Sequence, residues 1–323
     1  MAKILVVGGA GYVGSHITKA LKNHQVTILD NLSTGFAKLA CYGKLIEGDI
    51  CDRATVNRVL QAVRPDAVFH FAAKTLVGES VTDPAKYFEN NIKGSFELID
   101  GVRNITPQAK FIFSSTCSLY GVTDEPLKES DPLAPANPYA RTKRMIEEML
   151  EDYFRAYDLD YVALRYFNAA GADSEGKLGE LHDPETHLIP RLLLHVKNPQ
   201  KTPVQIYGED YPTLDGTPIR DYIHVEDLAA AHVAAMEYLF SDGEEKIFNL
   251  GTGRGYSVLE VLKTVEAVTG KKLDLPIAPR RAGDPPRLVS GSEKARKLLH
   301  WEPRRDLKEI VETAWSFTLK NRE

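Results

Sequence analysis

Short apolar runs alternate with longer amphipathic stretches through the first half of the chain. The apolar runs are rich in β-branched and aromatic residues and cover residues 4–7, 26–29, 67–71, 111–113 and 161–164. Between them, residues 56–63 and 144–154 repeat their apolar positions at the spacing of a helix. Strands that alternate with helices predict a doubly wound parallel sheet, an α/β fold.

The pattern changes after residue 168. Many prolines divide the second half into short pieces, which indicates a smaller lobe. We therefore predict a nucleotide-binding domain over residues 1–168 and a substrate-binding α/β lobe over residues 169–323. The helical stretch 225–240 is apolar enough to pack on the first domain, so we expect the chain to return to that domain around residues 220–250.

Charge and cysteine content narrow the class of protein. Forty basic and 45 acidic residues give a formal net charge of −5, which predicts no binding to nucleic acid or to an anionic membrane. The cysteines, Cys41, Cys51 and Cys117, are odd in number and lack the spacing of metal ligands. They favour a reducing cytoplasm and no metal site. The chain enters its first strand at once and has no apolar run of about 18 residues, so we expect neither a signal peptide nor a membrane span.

A glycine-rich turn follows the first predicted strand and opens a helix. The turn reads Gly8-Gly9-Ala10-Gly11-Tyr12-Val13-Gly14. Glycines let the backbone approach a pyrophosphate, and the helix N-terminus offers amide donors to the anion. In this context the turn predicts dinucleotide binding to a Rossmann-type sheet; a plain tight turn is the alternative.

Two aspartates follow strands near this turn. Asp30 ends the second strand, where an acidic side chain accepts hydrogen bonds from the adenosine ribose and repels the 2′-phosphate of NADP. It predicts NAD as the cofactor, with an N-cap or turn aspartate as the alternative. Asp49 follows another strand, where it contacts the adenine or stabilises a turn.

Tyr139 and Lys143 are four residues apart in Pro-Tyr-Ala-Arg-Thr-Lys and therefore share one face of a helix. A lysine ammonium beside the phenol favours its ionised form, which acts as a general base. Thr116 follows the strand at 111–113, so its hydroxyl is expected at the ligand crevice. These three residues are the predicted catalytic set.

Together these features resemble the extended short-chain dehydrogenase/reductase superfamily. Within it, three segments are similar to enzymes that epimerise UDP-sugars at C4, and the similarity covers nearly the whole chain: Asp-Asn-Leu-Ser at 30–33, Arg-Tyr-Phe-Asn at 165–168 and Gly-Thr-Pro-Ile-Arg-Asp-Tyr-Ile-His-Val at 216–225. The resemblance implies tightly bound NAD, a homodimer joined by a helix bundle, and conversion of UDP-galactose to UDP-glucose through a transient 4-keto sugar.

The resemblance also assigns binding residues. The cofactor set comprises Gly8, Gly11, Tyr12, Val13, Gly14, Asp30, Asn31, Ser33, Asp49, Ile50, Phe71, Ala72, Ala73, Asn90, Ser114, Tyr139, Lys143 and Tyr166. The substrate set comprises Thr116, Tyr139, Asn168, Arg220, Arg281, Asp284 and Leu288. Arginines suit a diphosphate because the guanidinium forms bidentate, charge-assisted bonds. Leu288 stands where relatives carry a residue that limits the sugar pocket, which predicts a preference for UDP-glucose and UDP-galactose over the N-acetylated pair.

Two positions depart from the family pattern. Lys74 lies one residue before the position of a family lysine, and His187 replaces a common asparagine. We therefore assign no cofactor role to Lys74 and neither a catalytic nor a metal role to His187, which is interpreted as structural.

Other activities of the superfamily agree less well with the residues. A 4,6-dehydratase of this family would carry Asp-Glu at the two positions after the strand threonine. A uronic acid decarboxylase would carry a glutamate at the second of these positions. Cys117 and Ser118 occupy them here. A UDP-N-acetylglucosamine or UDP-glucuronate 4-epimerase stays open. An NAD-binding regulator without turnover would have little use for the Thr116, Tyr139 and Lys143 set.

Overall fold

The structure is a computed structural model that describes residues 1–121, 123, 125–281 and 284–321. Its strands are β1 Lys3–Val7, β2 Gln25–Asp30, β3 Lys44–Glu47, β4 Ala67–His70, β5 Lys110–Ser114, β6 Tyr161–Tyr166, β7 Asn168–Ala170, β8 Ile206–Tyr207, β9 Ile219–His224, β10 Ile247–Leu250, β11 Gly255–Ser257, β12 Ile277–Ala278 and β13 Arg287–Leu288.

Helices flank these strands along the chain. They are α1 Tyr12–Ala20, α2 Arg53–Val63, α3 Val77–Thr82, α4 Pro84–Tyr87, α5 Gly94–Ile105, α6 Pro138–Tyr157, α7 Leu188–Lys197, α8 Val225–Phe240, α9 Val258–Thr269, α10 Glu293–Leu298 and α11 Leu307–Asn321. Shorter turns are a π turn at Phe88–Lys93 and 3-10 turns at Ala37–Leu39 and Cys117–Leu119.

A seven-stranded parallel sheet forms the centre of the molecule, in the order β10-β6-β5-β4-β1-β2-β3. Helices cover both faces, so its central strands are buried on both sides and consist of nearly continuous apolar residues. In β1, for example, the four residues 4–7 are fully buried. The predicted doubly wound fold is confirmed, and each of the five predicted apolar runs contains a strand.

Helix α6 carries the predicted Tyr139 and Lys143 pair, and its ends are well defined. Asn137 caps the first turn, where its side chain accepts a hydrogen bond from the amide of Ala140 at 2.9 Å, and Pro138 occupies the first helical position. The helix ends at Asp158, which adopts a left-handed conformation. The 20-residue helix therefore has a defined start at the cleft. This start fixes the direction of its first two turns, which carry Tyr139 and Lys143.

The chain crosses back to the large sheet in its second half. Strand β10 pairs with β6 at the edge of the sheet, and α8 packs against α1 with Leu228 and Ala235 in the same apolar cluster as Ile17 and Leu21. Helix α8 thus covers one face of the large sheet, and β10 extends its edge.

The remaining strands build a smaller α/β part. Strand β9 pairs with β11, β13 and β7, while β8 pairs with β12. Helices α7, α9 and α11 share an apolar cluster that includes Leu193, Val261 and Ile310. This part lies over the carboxyl end of the large sheet because β7 follows β6 after a single residue, Phe167.

Candidate active site

A cleft of about 400 Å³ opens at the carboxyl ends of the strands, where β1 and β4 lead to opposite halves of the sheet. Nineteen of the predicted site residues line it: Gly8, Gly11, Tyr12, Val13, Gly14, Asp30, Asn31, Ser33, Ile50, Phe71, Ala72, Ala73, Asn90, Ser114, Thr116, Tyr139, Lys143, Tyr166 and Asn168. Residues from both halves of the chain therefore meet in one cavity.

Three of the four glycines of the turn, Gly8, Gly11 and Gly14, differ in what surrounds them. Gly8 has φ +82°, and a Cβ there would come within 2.5 Å of the amide nitrogen of Ala72. At Gly14 a Cβ would overlap the carbonyl oxygen of Gly8. At Gly11 the nearest atom, the same carbonyl oxygen, is 3.3 Å away. Gly8 and Gly14 are thus required by the fold, whereas the open side of Gly11 faces the cleft and leaves room for a ligand.

Asp30 ends β2 and lines the adenosine end of the cleft. Its carboxylate accepts hydrogen bonds at 2.9 Å from the amides of Ala10 and Leu32, one on each oxygen. Burial raises the pKa of Asp30, and these two amide bonds oppose the rise. Each oxygen keeps a second lone pair for a ribose hydroxyl.

Asp49 lies behind the cleft rather than on its wall, although its neighbours Gly48 and Ile50 are wall residues. Its carboxylate accepts hydrogen bonds from the side chain of Asn31 at 2.9 Å and from the amide of Cys51 at 2.7 Å. Burial opposes ionisation of Asp49, but these bonds outweigh it and lower its pKa. In the protein alone, Asp49 therefore orients Asn31.

Tyr139 and Thr116 meet at the opposite end of the cleft. Burial raises the pKa of Tyr139, and the nearby Tyr166 phenol adds to the rise, while a hydrogen bond with the Thr116 hydroxyl opposes it. In the protein alone the pKa of this phenol therefore lies above its ordinary value, because burying a phenolate costs more than its hydrogen bond with Thr116 recovers. The effect of Lys143 on the phenol stays a prediction.

The Lys143 ammonium is fully enclosed. Its Nζ donates a hydrogen bond to the carbonyl oxygen of Ser114 at 2.7 Å and lies 4.8 Å from the ring centroid of Phe113. Burial lowers the pKa of Lys143 to about 7, and the charge of Glu147 opposes the fall. At neutral pH, Lys143 is therefore close to its midpoint, and a bound ligand with local charge decides its protonation state.

A buried polar network lies beneath the catalytic residues. Glu147 forms a two-point ion pair with Arg165, at 2.6 and 2.9 Å, and accepts a hydrogen bond from the Ser115 hydroxyl at 2.6 Å. Arg165 also donates to the Tyr120 hydroxyl, which donates to Asn249 on β10. The network joins α6, β6, β10 and the segment after β5, so it fixes Thr116 relative to Lys143.

The predicted diphosphate ligands lie away from the cleft wall. Arg220 on β9 forms an ion pair with Asp284. The guanidinium of Arg281 stacks 4.0 Å from the ring centroid of Tyr207. Residues 282 and 283, which join Arg281 to Asp284 in the quoted motif, lie outside the described residues. Arg220, Arg281 and Asp284 are therefore not part of the lining of this cavity, and their role toward a diphosphate stays a prediction.

Leu288 is half-buried on β13, in register with Arg220. It packs against an apolar cluster that contains Cys117 and Phe167, and these two residues line the cleft. Leu288 therefore stands one layer behind the wall and affects the pocket through the residues in front of it.

Sequence reasoning missed several residues of the cleft. Lys74 lines it and donates a hydrogen bond to the Ser33 hydroxyl at 3.0 Å, despite its offset from the family position. Tyr222, Ser118, Glu180, His182 and His187 also line it. For Lys74 the signal was present, since a cation one residue out of register still reaches the same space with its long side chain.

The segment that brings in the two histidines is a loop before α7. Glu180 is bonded to the Nδ1 atoms of both His182, at 2.9 Å, and His187. Burial opposes protonation of His182, but hydrogen bonds with Glu180 and Glu185 outweigh it and raise its pKa to about 9. The ring of His182 stands edge-on to the ring of Tyr12, with centroids 6.4 Å apart. His187 is thus part of a polar cluster at the cleft rather than an isolated structural histidine.

The cleft has the features that NAD requires. The first turn of α1 presents amide groups without partners inside the helix, Gly11 leaves space above them, and Asp30 lies where the adenosine ribose binds in this fold. The other end presents a tyrosine, a threonine and a lysine. A dinucleotide that spans these two ends would place its reactive ring beside Tyr139.

Comparison with known proteins agrees with this site. The sequence matches the NAD dependent epimerase/dehydratase family over residues 4–251, and the chain belongs to that family. It is 48% identical over 317 residues to the UDP-glucose 4-epimerase of Rhizobium meliloti, an alignment that covers 97% of this chain and 96% of the relative.

Two solved structures are similar over nearly the whole chain. The UDP-glucose 4-epimerase of Brucella ovis in complex with NAD has a TM-score of 0.93 and 47% identity, with 98% of each chain covered. The enzyme of Bifidobacterium longum in complex with NAD+ and UDP has a TM-score of 0.91 and 35% identity, again with 98% of each chain covered. Among the described residues, no helix combines the length and apolar character needed to cross a membrane.

Proposed function

We propose that this protein is a UDP-glucose 4-epimerase that interconverts UDP-galactose and UDP-glucose with tightly held NAD. The observation that carries the proposal is the meeting of Thr116, Tyr139 and Lys143 at the far end of the cleft from the nucleotide turn. NAD, which the glycine turn, Asp30 and Lys143 would hold, would supply the acceptor for the hydride of sugar C4 and, once reduced to NADH, the donor that returns this hydride to the opposite face. The relatives named above carry this activity in their names.

In this mechanism Tyr139 removes the proton from the sugar 4-hydroxyl and later returns it. The Thr116 hydroxyl, bonded to the phenol in the protein alone, is placed to bond the reacting sugar oxygen. Because burial raises the pKa of Tyr139, ionisation requires positive charge that arrives with bound ligand or is retained on Lys143. The Tyr139 phenol therefore stays protonated until a ligand fills the cleft.

The two halves of UDP-sugar recognition make different demands. The diphosphate needs firm, charge-assisted anchors, for which we propose Arg220 and Arg281. The sugar, in contrast, must rotate within the site between the two steps. In the protein alone, Asp284 forms an ion pair with Arg220, so a diphosphate would compete with this carboxylate for the guanidinium. We propose Asn168, which lines the cleft beside the reacting residues, as a contact to the sugar end.

We also propose that the protein acts as a cytoplasmic homodimer. Support comes from free cysteines at 41, 51 and 117 and from four exposed apolar side chains near α5 and α6: Val81, Phe88, Phe96 and Met145. Such a patch suits the helix bundle through which the resemblance joins two copies.

The decisive test is turnover without added cofactor. Purified protein incubated with UDP-galactose should produce UDP-glucose, resolved by anion-exchange chromatography, and protein denatured afterwards should release NAD or NADH. Formation of a 4-keto-6-deoxy sugar would assign the protein to the dehydratases instead. Release of NAD without any change in the sugar would support the binding-only alternative.

A further inference from the structure

The loop before α7 places four metal-ligating side chains together. Glu180, His182, Glu185 and His187 each direct one ligand atom into a space where all four atoms lie within 4.8 Å of one another. Among the described residues, no other group of three or more histidine, cysteine or carboxylate side chains meets this condition. The set is separate from the catalytic residues Thr116, Tyr139 and Lys143.

The distances fit a four-coordinate ion. The Nδ1 atom of His182 lies 2.9 Å from an oxygen of Glu180 and 3.8 Å from one of Glu185, and the Nδ1 atom of His187 lies 3.9 Å from the same Glu185 oxygen. Tetrahedral zinc with bonds of about 2.0–2.2 Å separates its ligand atoms by roughly 3.3 Å. Changes of up to about 1.5 Å in these separations, the longest of which reaches 4.8 Å, would therefore bring the four atoms into that arrangement.

Charge and access favour a divalent cation. The side chains of Glu180 and Glu185 are only 7% and 5% exposed, so two carboxylate charges lie close together away from water. One divalent ion would balance the two carboxylate charges while both imidazoles are neutral. Without the ion, two protonated imidazoles balance the same charges. The His187 side chain is 57% exposed, which leaves an entry path from solvent.

The donor set selects the class of metal. Two imidazole nitrogens with two carboxylate oxygens suit zinc, whereas magnesium and calcium prefer oxygen ligands in larger coordination shells. The cluster adjoins the first turn of α7, whose dipole disfavours a cation. We therefore expect weaker affinity than at a cysteine site.

We propose that Glu180, His182, Glu185 and His187 form a zinc site at the wall of the nucleotide cleft. Because the His182 ring packs edge-on against Tyr12 of the glycine turn, the bound ion would fix the loop against the helix that receives the pyrophosphate. This assignment replaces the sequence-based interpretation of His187 as a lone structural residue. It does not depend on the proposed sugar chemistry.

Direct metal binding tests the proposal. Full-length protein stripped with a chelator and dialysed should bind one Zn²⁺ per chain in competition with a chromophoric chelator. Magnesium in large excess should not displace the zinc. Cobalt in its place should give the intense visible absorption of a tetrahedral site.

Matched histidine variants locate the site. His187→Asn should weaken zinc binding by at least about 100-fold, more than the 10–100-fold typical of losing an outer-shell partner. His300→Asn is the control: His300 is exposed, and its φ of 49° suits asparagine. Far-UV circular dichroism and NAD content establish folding. Should His182→Asn fail to fold, the more exposed His187 still decides. Absence of stoichiometric binding by the wild type, or equal binding by His187→Asn, overturns the proposal.

Discussion

Burial sets the direction of the pKa shifts of Tyr139 and Lys143 in the cleft. The same desolvation raises the pKa of the Tyr139 phenol and lowers that of the Lys143 ammonium, so both groups are biased toward their neutral forms. In the proposed mechanism, Tyr139 becomes a proton acceptor only with positive charge that arrives with bound ligand or is retained on Lys143. The consequences can be measured separately for each residue.

Tyr139→Phe should lower turnover of UDP-galactose by about 10² to 10⁴, the usual contribution of a general base, while NAD content and folding stay unchanged. The ring is retained and only the proton acceptor is removed. Tyr157→Phe, on the exposed end of the same helix, is the control and should keep full activity. Equal kcat values for Tyr139→Phe and the wild type would exclude Tyr139 as the base.

Lys143→Met should raise the free energy of unfolding below pH 7 by on the order of 2–4 kcal/mol, less the loss of the hydrogen bond to Ser114. The folded-state pKa is about 7 against an ordinary 10.5. The unfolded chain therefore holds an extra proton between these values, and wild-type stability rises with pH across that window. The increase in the free energy of unfolding from Lys143→Met should therefore become smaller as the pH rises through the same range.

Urea unfolding of NAD-free protein from pH 6 to 9 measures this difference. Lys22→Met, at an exposed position, is the control and should show no such trend. A Lys143→Met variant less stable than wild type at pH 6 would mean that the buried ammonium is net stabilising.

Leu288→Tyr should reduce use of UDP-N-acetylgalactosamine relative to UDP-galactose. Leu288 packs behind Cys117 and Phe167, so a larger ring would push these wall residues into the cleft, and overpacking typically costs about 1–3 kcal/mol. The ratio of kcat/KM for the two sugars gives the answer. An unchanged ratio, with both sugars used equally well by the wild type, would place the specificity determinant elsewhere.

At the scale of elements, the turn between β1 and α1 combines two kinds of glycine. Gly14→Ala should prevent stable folding, because its Cβ would overlap the Gly8 carbonyl. Gly11→Ala should fold, since its nearest neighbour is 3.3 Å away, yet lose bound NAD because the methyl group occupies the ligand's space. Thermal unfolding of NAD-free protein, with and without added NAD, distinguishes them: NAD should raise the Tm of the wild type but not of Gly11→Ala.

The elements that sequence predicted well are those with a strong local pattern. The strands at 4–7, 26–29 and 161–164 and the helix at 225–240 were predicted because buried runs and helical spacing depend only on neighbouring residues. Strand β10 was missed, since four residues, Ile247–Leu250, carry too short a signal.

The site residues also divide into those that lie in elements with a strong local pattern and those that do not. The glycine turn and the Tyr139 and Lys143 pair lie within motifs of regular elements, so their spacing, together with the strands and helices around them, predicted their place in the cleft. The loop with Glu180, His182 and His187 has no periodicity, and its approach to Tyr12 depends on how two halves of the chain pack. Arg220 and Arg281 were assigned by resemblance, and their partners in the protein alone are Asp284 and Tyr207.

For the whole molecule, the exposed apolar side chains of Val81, Phe88, Phe96 and Met145 lead to a prediction of assembly. The 35.9 kDa chain should elute with the mass of a dimer in light-scattering chromatography, and Phe96→Glu should shift it toward the monomer because a charge would enter an apolar interface. Leu319→Glu, at an exposed apolar residue of α11, should stay dimeric. A monomeric wild type would remove the basis for this interface.

The return of the chain to the large sheet also has a consequence for biosynthesis. While the ribosome has made only residues 1–168, the edge of β6 has no partner, and Ile17 and Leu21 of α1 lack the apolar cover that α8 supplies. The first half of the protein therefore leaves the ribosome as an incomplete, association-prone sheet, and it can close only after residue 250 has emerged. A gene cut at the change in sequence pattern would encode a fragment that needs chaperone protection rather than an independent nucleotide-binding module.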